Sequence, residues 1–116
     1  MPPGNDEAIG VILSNLEYIA KELPSLDMDE VLRQHLVSWC EDFRQDVTNL
    51  RSKMGAPREE AAELIHGQVE ALHKLVMSLR DLAASDPRQA VLSVLFGESG
   101  ANMLVAYGEI LENLRG

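Results

Sequence analysis

The residues best able to do chemistry form two Glu-x-x-His motifs one heptad apart, Glu63 with His66 and Glu70 with His73. A spacing of three residues puts a carboxylate and an imidazole on one side of a helix, where both can bind one metal ion. Metal sites of this kind in four-helix bundles take the two motifs from different helices and direct them into the core. Here both motifs lie on one predicted helix and project away from its apolar positions. We therefore expect an exposed face, supported by a pair between Glu70 and Lys74, and no metal site.

A second acidic pattern, Glu59-Glu60-Ala61-Ala62-Glu63, has the spacing of a magnesium-binding motif in all-α nucleotide pyrophosphohydrolases. That chemistry needs a second acidic motif on the following helix, but no Glu occurs between Glu70 and Glu98. The first turn of a helix also favours acids, because its unpaired N–H groups and the helix dipole attract negative charge. A divergent all-α metal-dependent nucleotide hydrolase therefore remains only a second alternative.

Nucleophilic and phosphotransfer chemistry find no support in the sequence. Cys40 is the single cysteine, so no intrachain disulfide or cysteine-based zinc site can form, and we expect it to pack as a small apolar residue. Histidine phosphotransfer domains place Lys and Gly three and four positions after the reactive His, and no histidine here has that context. We expect no catalytic residue, no bound cofactor and no enzymatic activity.

The elements that carry these residues are predicted to be helices. The 116 residues fit a single domain, residues 1–116, and the chain has 46% hydrophobic but only 4% aromatic residues, which suits helix-on-helix packing. Asn5 is a good N-cap for a first helix over residues 5–23, which Pro24 ends. The buried face of this first helix is predicted to contain Ile9, Ile12, Leu16, Ile19 and Leu23.

Two long helices follow and are joined by a short break at Gly55-Ala56. Ser25 or Asp27 is expected to cap the second helix, and Pro57 suits the first turn of the third. The short connection makes the two helices antiparallel neighbours, and their alternating spacing predicts coiled-coil-like packing between them. The predicted buried line of the second helix is Leu32, Leu36, Trp39, Phe43, Val47, Leu50 and Met54, and that of the third is Ala62, Ile65, Val69, Leu72, Val76, Leu79 and Ala83.

The last segment begins at Ser85-Asp86-Pro87 and is predicted to break at Gly97-Glu98-Ser99-Gly100, by a kink or a sharp turn. The fold class is therefore all-α, an antiparallel up-down four-helix bundle whose fourth helix is broken near Gly97–Gly100. If the break separates two helices, the bundle has five.

The net charge of −9 directs the choice of partner. An acidic chain argues against direct nucleic-acid binding, which needs clustered Lys and Arg, and favours a protein partner with a basic surface. We predict a small acidic protein-binding module, an inhibitor, immunity or adaptor protein. The predicted partner-binding residues are Glu59, Glu63, His66, Glu70, His73 and Met77.

The alternative is a homo-oligomeric structural protein, a homodimer for example, that associates through its apolar C-terminal segment. The predicted self-association residues are Val91, Leu92, Leu95, Phe96 and Val105. The N-terminus lacks the basic-then-apolar order of a secretory signal, and no uninterrupted apolar run approaches the ~20 residues that span a bilayer. We therefore expect a cytoplasmic protein without a membrane partner.

Overall fold

The computed structural model describes residues 5–55 and 57–115, and within them it contains helices and no strand. This confirms the all-α prediction. Two short 3₁₀ turns, Leu23–Ser25 and Pro87–Gln89, precede the second and fourth helices. The four α-helices are α1 (Asn5–Glu22), α2 (Glu30–Ser52), α3 (Arg58–Ser85) and α4 (Ala90–Arg115).

Side-chain hydrogen bonds show the antiparallel register of the bundle. Asn113 donates to Asn5 at 2.9 Å, and Asn102 donates to Asn15 at 3.3 Å, so α1 and α4 run in opposite directions along their whole length. The closest backbone packing is that of α4 against α1 on one side and α3 on the other, and α2 lies beside α1. The helices thus follow one another around the bundle in chain order, with α1 and α4 closing the circle.

The apolar line of α1 forms the part of the core that the sequence predicted most directly. All five of its members are fully buried, which confirms the predicted face of the first helix. Burying an Ile or Leu side chain is worth about 1.5–3 kcal/mol, so this line is a major source of the stability of the fold. Its regular spacing of three and four residues keeps every member on the side of α1 that faces the other helices.

The buried line of α3 differs from the prediction. Ala61, Ile65, Gln68, Leu72 and Leu79 are buried, whereas the predicted Ala62, Val69, Val76 and Ala83 are only partly buried. The spacing from Ala61 to Leu72 also alternates between four and three, so it defines a second possible line on the same helix. This second line was not predicted because it contains a glutamine, whose amide is satisfied by hydrogen bonds inside the bundle.

The predicted coiled-coil-like packing between α2 and α3 is wrong, because the two backbones approach each other far less closely than α4 approaches α1 or α3. The large rings of α2 are directed instead to those of α4. Trp39 stacks on Phe43 with ring centres 4.7 Å apart, and it meets Phe96 edge-to-face with ring centres 6.1 Å apart. Phe43 meets Tyr107 edge-to-face at 6.5 Å. These rings fill the centre of the bundle between α2 and α4 and leave the outer side between α2 and α3 open.

The predicted break in the fourth helix is also wrong, because α4 is one continuous helix through Gly97–Gly100. No described residue has a positive φ, so these glycines adopt ordinary helical geometry. A glycine inside a helix costs up to about 1 kcal/mol, which packing readily offsets. At Gly100 the reason is visible, since a Cβ atom there would lie 3.2 Å from Cγ2 of Val76. The glycine lets α4 approach α3 closely.

Two predictions at helix ends are corrected by the structure. The side chain of Asp29, and neither Ser25 nor Asp27, accepts the N–H of Leu32 at 3.1 Å and caps α2. Pro57 is the residue before α3, which begins at Arg58.

The segment Pro87–Arg115 is long and apolar enough to cross a membrane by length and composition. In the bundle, 39% of its most apolar window is buried against the other helices. Such a helix is weak evidence for a membrane protein, because the core helix of a soluble bundle has the same properties.

Candidate functional site

The six residues predicted to bind a partner lie on one exposed side of α3. We call them the α3 stripe; its members are Glu59, Glu63, His66, Glu70, His73 and Met77, and all of them are exposed. At 3.6 residues per turn they fall within an arc of about 80°, opposite the buried line of the helix. The only large apolar side chain of the stripe, Met77, is 51% exposed. The structure therefore brings all six residues onto one continuous surface.

Within the stripe, the predicted pair between Glu70 and Lys74 is present. Lys74 Nζ lies 3.3 Å from Glu70 Oε1, and both side chains are well exposed. Exposed ion pairs of this kind contribute less than ~1 kcal/mol, because solvent screens them and two long side chains are immobilised. A pair this weak does not fix the Glu70 side chain in one position, and the stripe keeps its negative charge at Glu59 and Glu63.

The geometry of the Glu-x-x-His motifs does not assemble a metal site. Among residues 5–55 and 57–115, no group of three His, Cys, Asp or Glu side chains stands close enough to hold an ion. His66 instead borders a shallow cleft of about 220 Å³ between α3 and α4, together with Leu111 and Leu114. The same finding applies to Glu59, Glu60 and Glu63, which do not form such a group.

A larger depression, which we call the α2–α3 groove, lies on the other flank of the stripe where α2 and α3 stand apart. Its volume is about 450 Å³. Charged side chains line its rim. Asp46 belongs to α2, Lys53 directly follows the end of α2, and Glu60 and Glu63 belong to α3. Lys53 Nζ pairs with Glu60 Oε1 at 3.4 Å across the groove.

The floor of the groove is made by α3, with Leu64, Gly67, Gln68 and Ala71. Gln68 is only 5% exposed and is held on two sides. Its Nε2 donates to the backbone carbonyl of Asp46 at 2.9 Å, and its Oε1 accepts the hydroxyl of Tyr107 at 2.6 Å. The amide thus links three helices beneath the groove.

The environment of Tyr107 keeps its hydroxyl protonated. The side chain is fully buried, and burial together with the negative charge of Asp46 raises the pKa of the phenol well above its usual value. A protonated hydroxyl can donate to Gln68 at any ordinary pH. Gly67, Gln68 and Tyr107 carry no charge at neutral pH. The sequence prediction of a binding surface relied on charged residues and therefore did not include these three.

The thiol of Cys40 is not part of any exposed site. It is 3% exposed, and burial together with the charge of Glu41 raises its pKa to about 12. The thiolate is the nucleophilic form of cysteine, so this residue is chemically inert at neutral pH. Its position among the apolar residues of α2 agrees with the predicted packing role.

The residues predicted for self-association separate into two groups. Leu92 and Phe96 are buried inside the chain and are not available at the surface of a single copy, whereas Leu95 is partly buried. Val91 and Val105 are exposed at 62% and 64%. Val94, which the sequence analysis did not select, is exposed at 57%. The outward side of α4 therefore presents three valines to solvent.

No family model, curated protein or solved structure matches this chain.

Proposed function

We propose that this chain is a small acidic protein-binding module, an inhibitor, immunity or adaptor protein that docks on a basic surface of a larger protein. The observation that carries this proposal is the α3 stripe, because all six of its side chains are exposed on one side of a long, well-packed helix. The net charge of −9 would attract a basic partner over a distance and speed the encounter. A protein that handles nucleic acid is a suitable partner, since such proteins carry basic surfaces.

The rigid support beneath the stripe favours recognition through a preformed surface. The opposite side of α3 contains Ile65 and Leu72, both fully buried. A helix anchored in this way holds its exposed side chains in fixed relative positions, which lowers the conformational entropy lost on binding. The contact would be sensitive to salt, because the Debye length falls to about 8 Å at physiological ionic strength.

The test is an affinity pulldown from the native host at low and high salt, with the chain and two double variants as bait. Glu63→Lys with Glu70→Lys reverses charge within the stripe. Glu17→Lys with Glu109→Lys makes the same change in net charge on α1 and α4, where both residues are exposed. We expect the stripe variant to lose a partner that the control variant retains. Equal retention by both variants would contradict the assignment of the stripe.

A second candidate function is homo-oligomerisation through the outward side of α4, and the exposure of Val91, Val94 and Val105 is the observation that favours it. Exposed apolar side chains on one side of a helix can mark a contact with another protein. Light scattering over a range of concentrations tests it. The control is Val11→Lys, at an exposed residue of α1. A dimer that dissociates in the Val105→Lys variant but persists in the Val11→Lys variant would support this function.

A further inference from the structure

The α2–α3 groove exists because two helices joined by a short connection do not close against each other. The backbones of α2 and α3 stay apart, although their chain connection would allow close packing. The rings of Trp39 and Phe43 pack against Phe96 and Tyr107 of α4, so the largest side chains of α2 are directed towards α4 and not towards α3. The separation leaves about 450 Å³ on the surface of the bundle.

The floor of the groove has room for an incoming side chain. Gly67 lines it, and a Cβ atom on Gly67 would meet no atom within 4 Å. Gly100 differs, because a Cβ atom there would lie 3.2 Å from Cγ2 of Val76. Leu64 and Ala71 flank Gly67 with apolar surface, and the buried amide of Gln68 closes the bottom.

The negative charge of the rim favours a cationic side chain of a partner. In the part of the chain that the structure describes, the one ion pair on this rim joins Lys53 to Glu60, and neither Asp46 nor Glu63 takes part in one. Both of these side chains are exposed. The carboxylates of Asp46 on α2 and Glu63 on α3 flank an apolar floor. This arrangement is complementary to a segment that carries Lys or Arg next to an aliphatic side chain.

We propose that the α2–α3 groove receives an amphipathic basic helix of the partner protein. Its aliphatic side chain would lie over Gly67, and Lys or Arg residues one turn away would pair with Asp46 and Glu63. A helix suits the site because the groove runs between two antiparallel helices, and helices bind such grooves through anchors spaced three and four residues apart. This inference rests on the proposed function and names the class of segment that the module recognises.

The experiment uses fluorescence anisotropy with a labelled synthetic helix that carries Leu and Lys at i, i+4 spacing. A second probe keeps every Lys and replaces each Leu by Ser. We expect the first probe to bind at least about tenfold more tightly than the second, because the floor recognises the aliphatic side chain. Equal binding of the two probes would mean that charge alone attracts them, and it would overturn the proposal.

The decisive variant is Gly67→Leu, which adds a side chain to the floor of the groove at a position where a Cβ atom meets nothing within 4 Å. The matched control is Gly10→Leu on α1, where a Cβ atom also meets nothing within 4 Å. We expect Gly67→Leu to weaken the leucine-containing probe by at least about tenfold and Gly10→Leu to leave it unchanged. If Gly67→Leu proves unfolded by circular dichroism, Ala71→Phe blocks the same groove from an exposed position. Unchanged binding by a folded groove variant would overturn the proposal.

The same variants separate this inference from the proposed function. Suppose that the Gly67→Leu variant still captures the partner and the double variant Glu63→Lys with Glu70→Lys does not. This result would support binding through the stripe and exclude the groove. A partner lost by both chains supports the groove when the leucine-containing probe competes for it. A partner lost by neither chain excludes both.

Discussion

The hydroxyl of Tyr107 donates to Oε1 of Gln68 at 2.6 Å, at a place where Tyr107 is fully buried and Gln68 is only 5% exposed. Through Nε2 of the same glutamine the connection continues to the backbone carbonyl of Asp46. One amide therefore ties α4 and α3 to α2 at the level where α2 and α3 are otherwise separated. Within the described part of the chain, no buried side-chain N or O atom lacks a hydrogen-bond partner.

Removing the hydroxyl by Tyr107→Phe is expected to lower the free energy of unfolding by about 1–3 kcal/mol, because Gln68 would keep a buried acceptor without its donor. The ring contact with Phe43 remains, so the loss reports the hydrogen bond. Urea unfolding measures the change. Tyr18→Phe, at a position that is 52% exposed, is the control and should leave stability unchanged. An equal effect of both substitutions would contradict the assigned role of the hydroxyl.

Coupling between the two side chains is a separate prediction. Gln68→Met removes the amide while keeping its length, and the double variant with Tyr107→Phe replaces both polar partners by apolar groups. Such paired replacement can be nearly neutral, whereas either single change leaves a buried polar group unsatisfied. We expect the double variant to lose clearly less unfolding free energy than the sum of the two singles. Strictly additive losses would show that the two residues act independently.

Leucine at two glycines of α4 should have opposite effects. Gly100→Leu is expected to lower the free energy of unfolding by about 1–3 kcal/mol, because a Cβ atom there already approaches Val76 at 3.2 Å. Gly97→Leu meets no atom within 4 Å at its Cβ and should raise stability by up to about 1 kcal/mol through helix propensity. Denaturant unfolding of both variants measures the difference. The same sign for both would contradict the close approach of α4 to α3 at Gly100.

The cap of α2 gives a further prediction. Asp29→Ala should cost about 1 kcal/mol of unfolding free energy, because the N–H of Leu32 loses its acceptor. Asp27→Ala removes the same charge two residues earlier and should cost less, since Asp29 makes the capping bond. Thermal unfolding of the two variants compares them directly. A larger loss of stability in Asp27→Ala than in Asp29→Ala would show that Asp27 caps α2, as the sequence suggested.

The buried thiol predicts how stability changes at alkaline pH. The pKa of Cys40 is raised from 9.0 to about 12, so above pH 9 the unfolded chain loses this proton while the folded chain keeps it. The folded state then binds more protons, and stability falls as pH rises from 9 towards 12. Urea unfolding across this range should show a shallower decline for Cys40→Val than for the unaltered chain. Identical slopes would mean that the thiol is not protected by burial.

The sequence predicted those features that depend on the spacing of apolar residues. The five isoleucines and leucines predicted to be buried, four in α1 and Leu23 in the turn that follows it, are all buried, because regular spacing leaves one apolar face and one way to bury it. The prediction from sequence was wrong where contacts between helices determine the local structure. Gly97 and Gly100 permit a break, but only the packing against Val76 shows that Gly100 serves a continuous helix.

The candidate site was predicted in part for a similar reason. Charges on α3 are visible in the sequence, and the structure places all six residues of the stripe together. Gln68 and Gly67 gave no such signal, since a polar side chain and a glycine do not indicate a core position or a groove floor. The alternation of four and three from Ala61 through Gln68 to Leu72 was the one pattern that could have identified the buried glutamine.

The sparse backbone packing between α2 and α3 also has a consequence for local unfolding. Helix α4 packs closely against both α1 and α3, whereas α2 packs less closely against α1 and only sparsely against α3. A helix that packs sparsely on its neighbours needs less free energy to detach than the whole bundle needs to unfold. Amide hydrogens of α2 should therefore exchange with solvent through a partial opening, before those of α4 exchange through global unfolding.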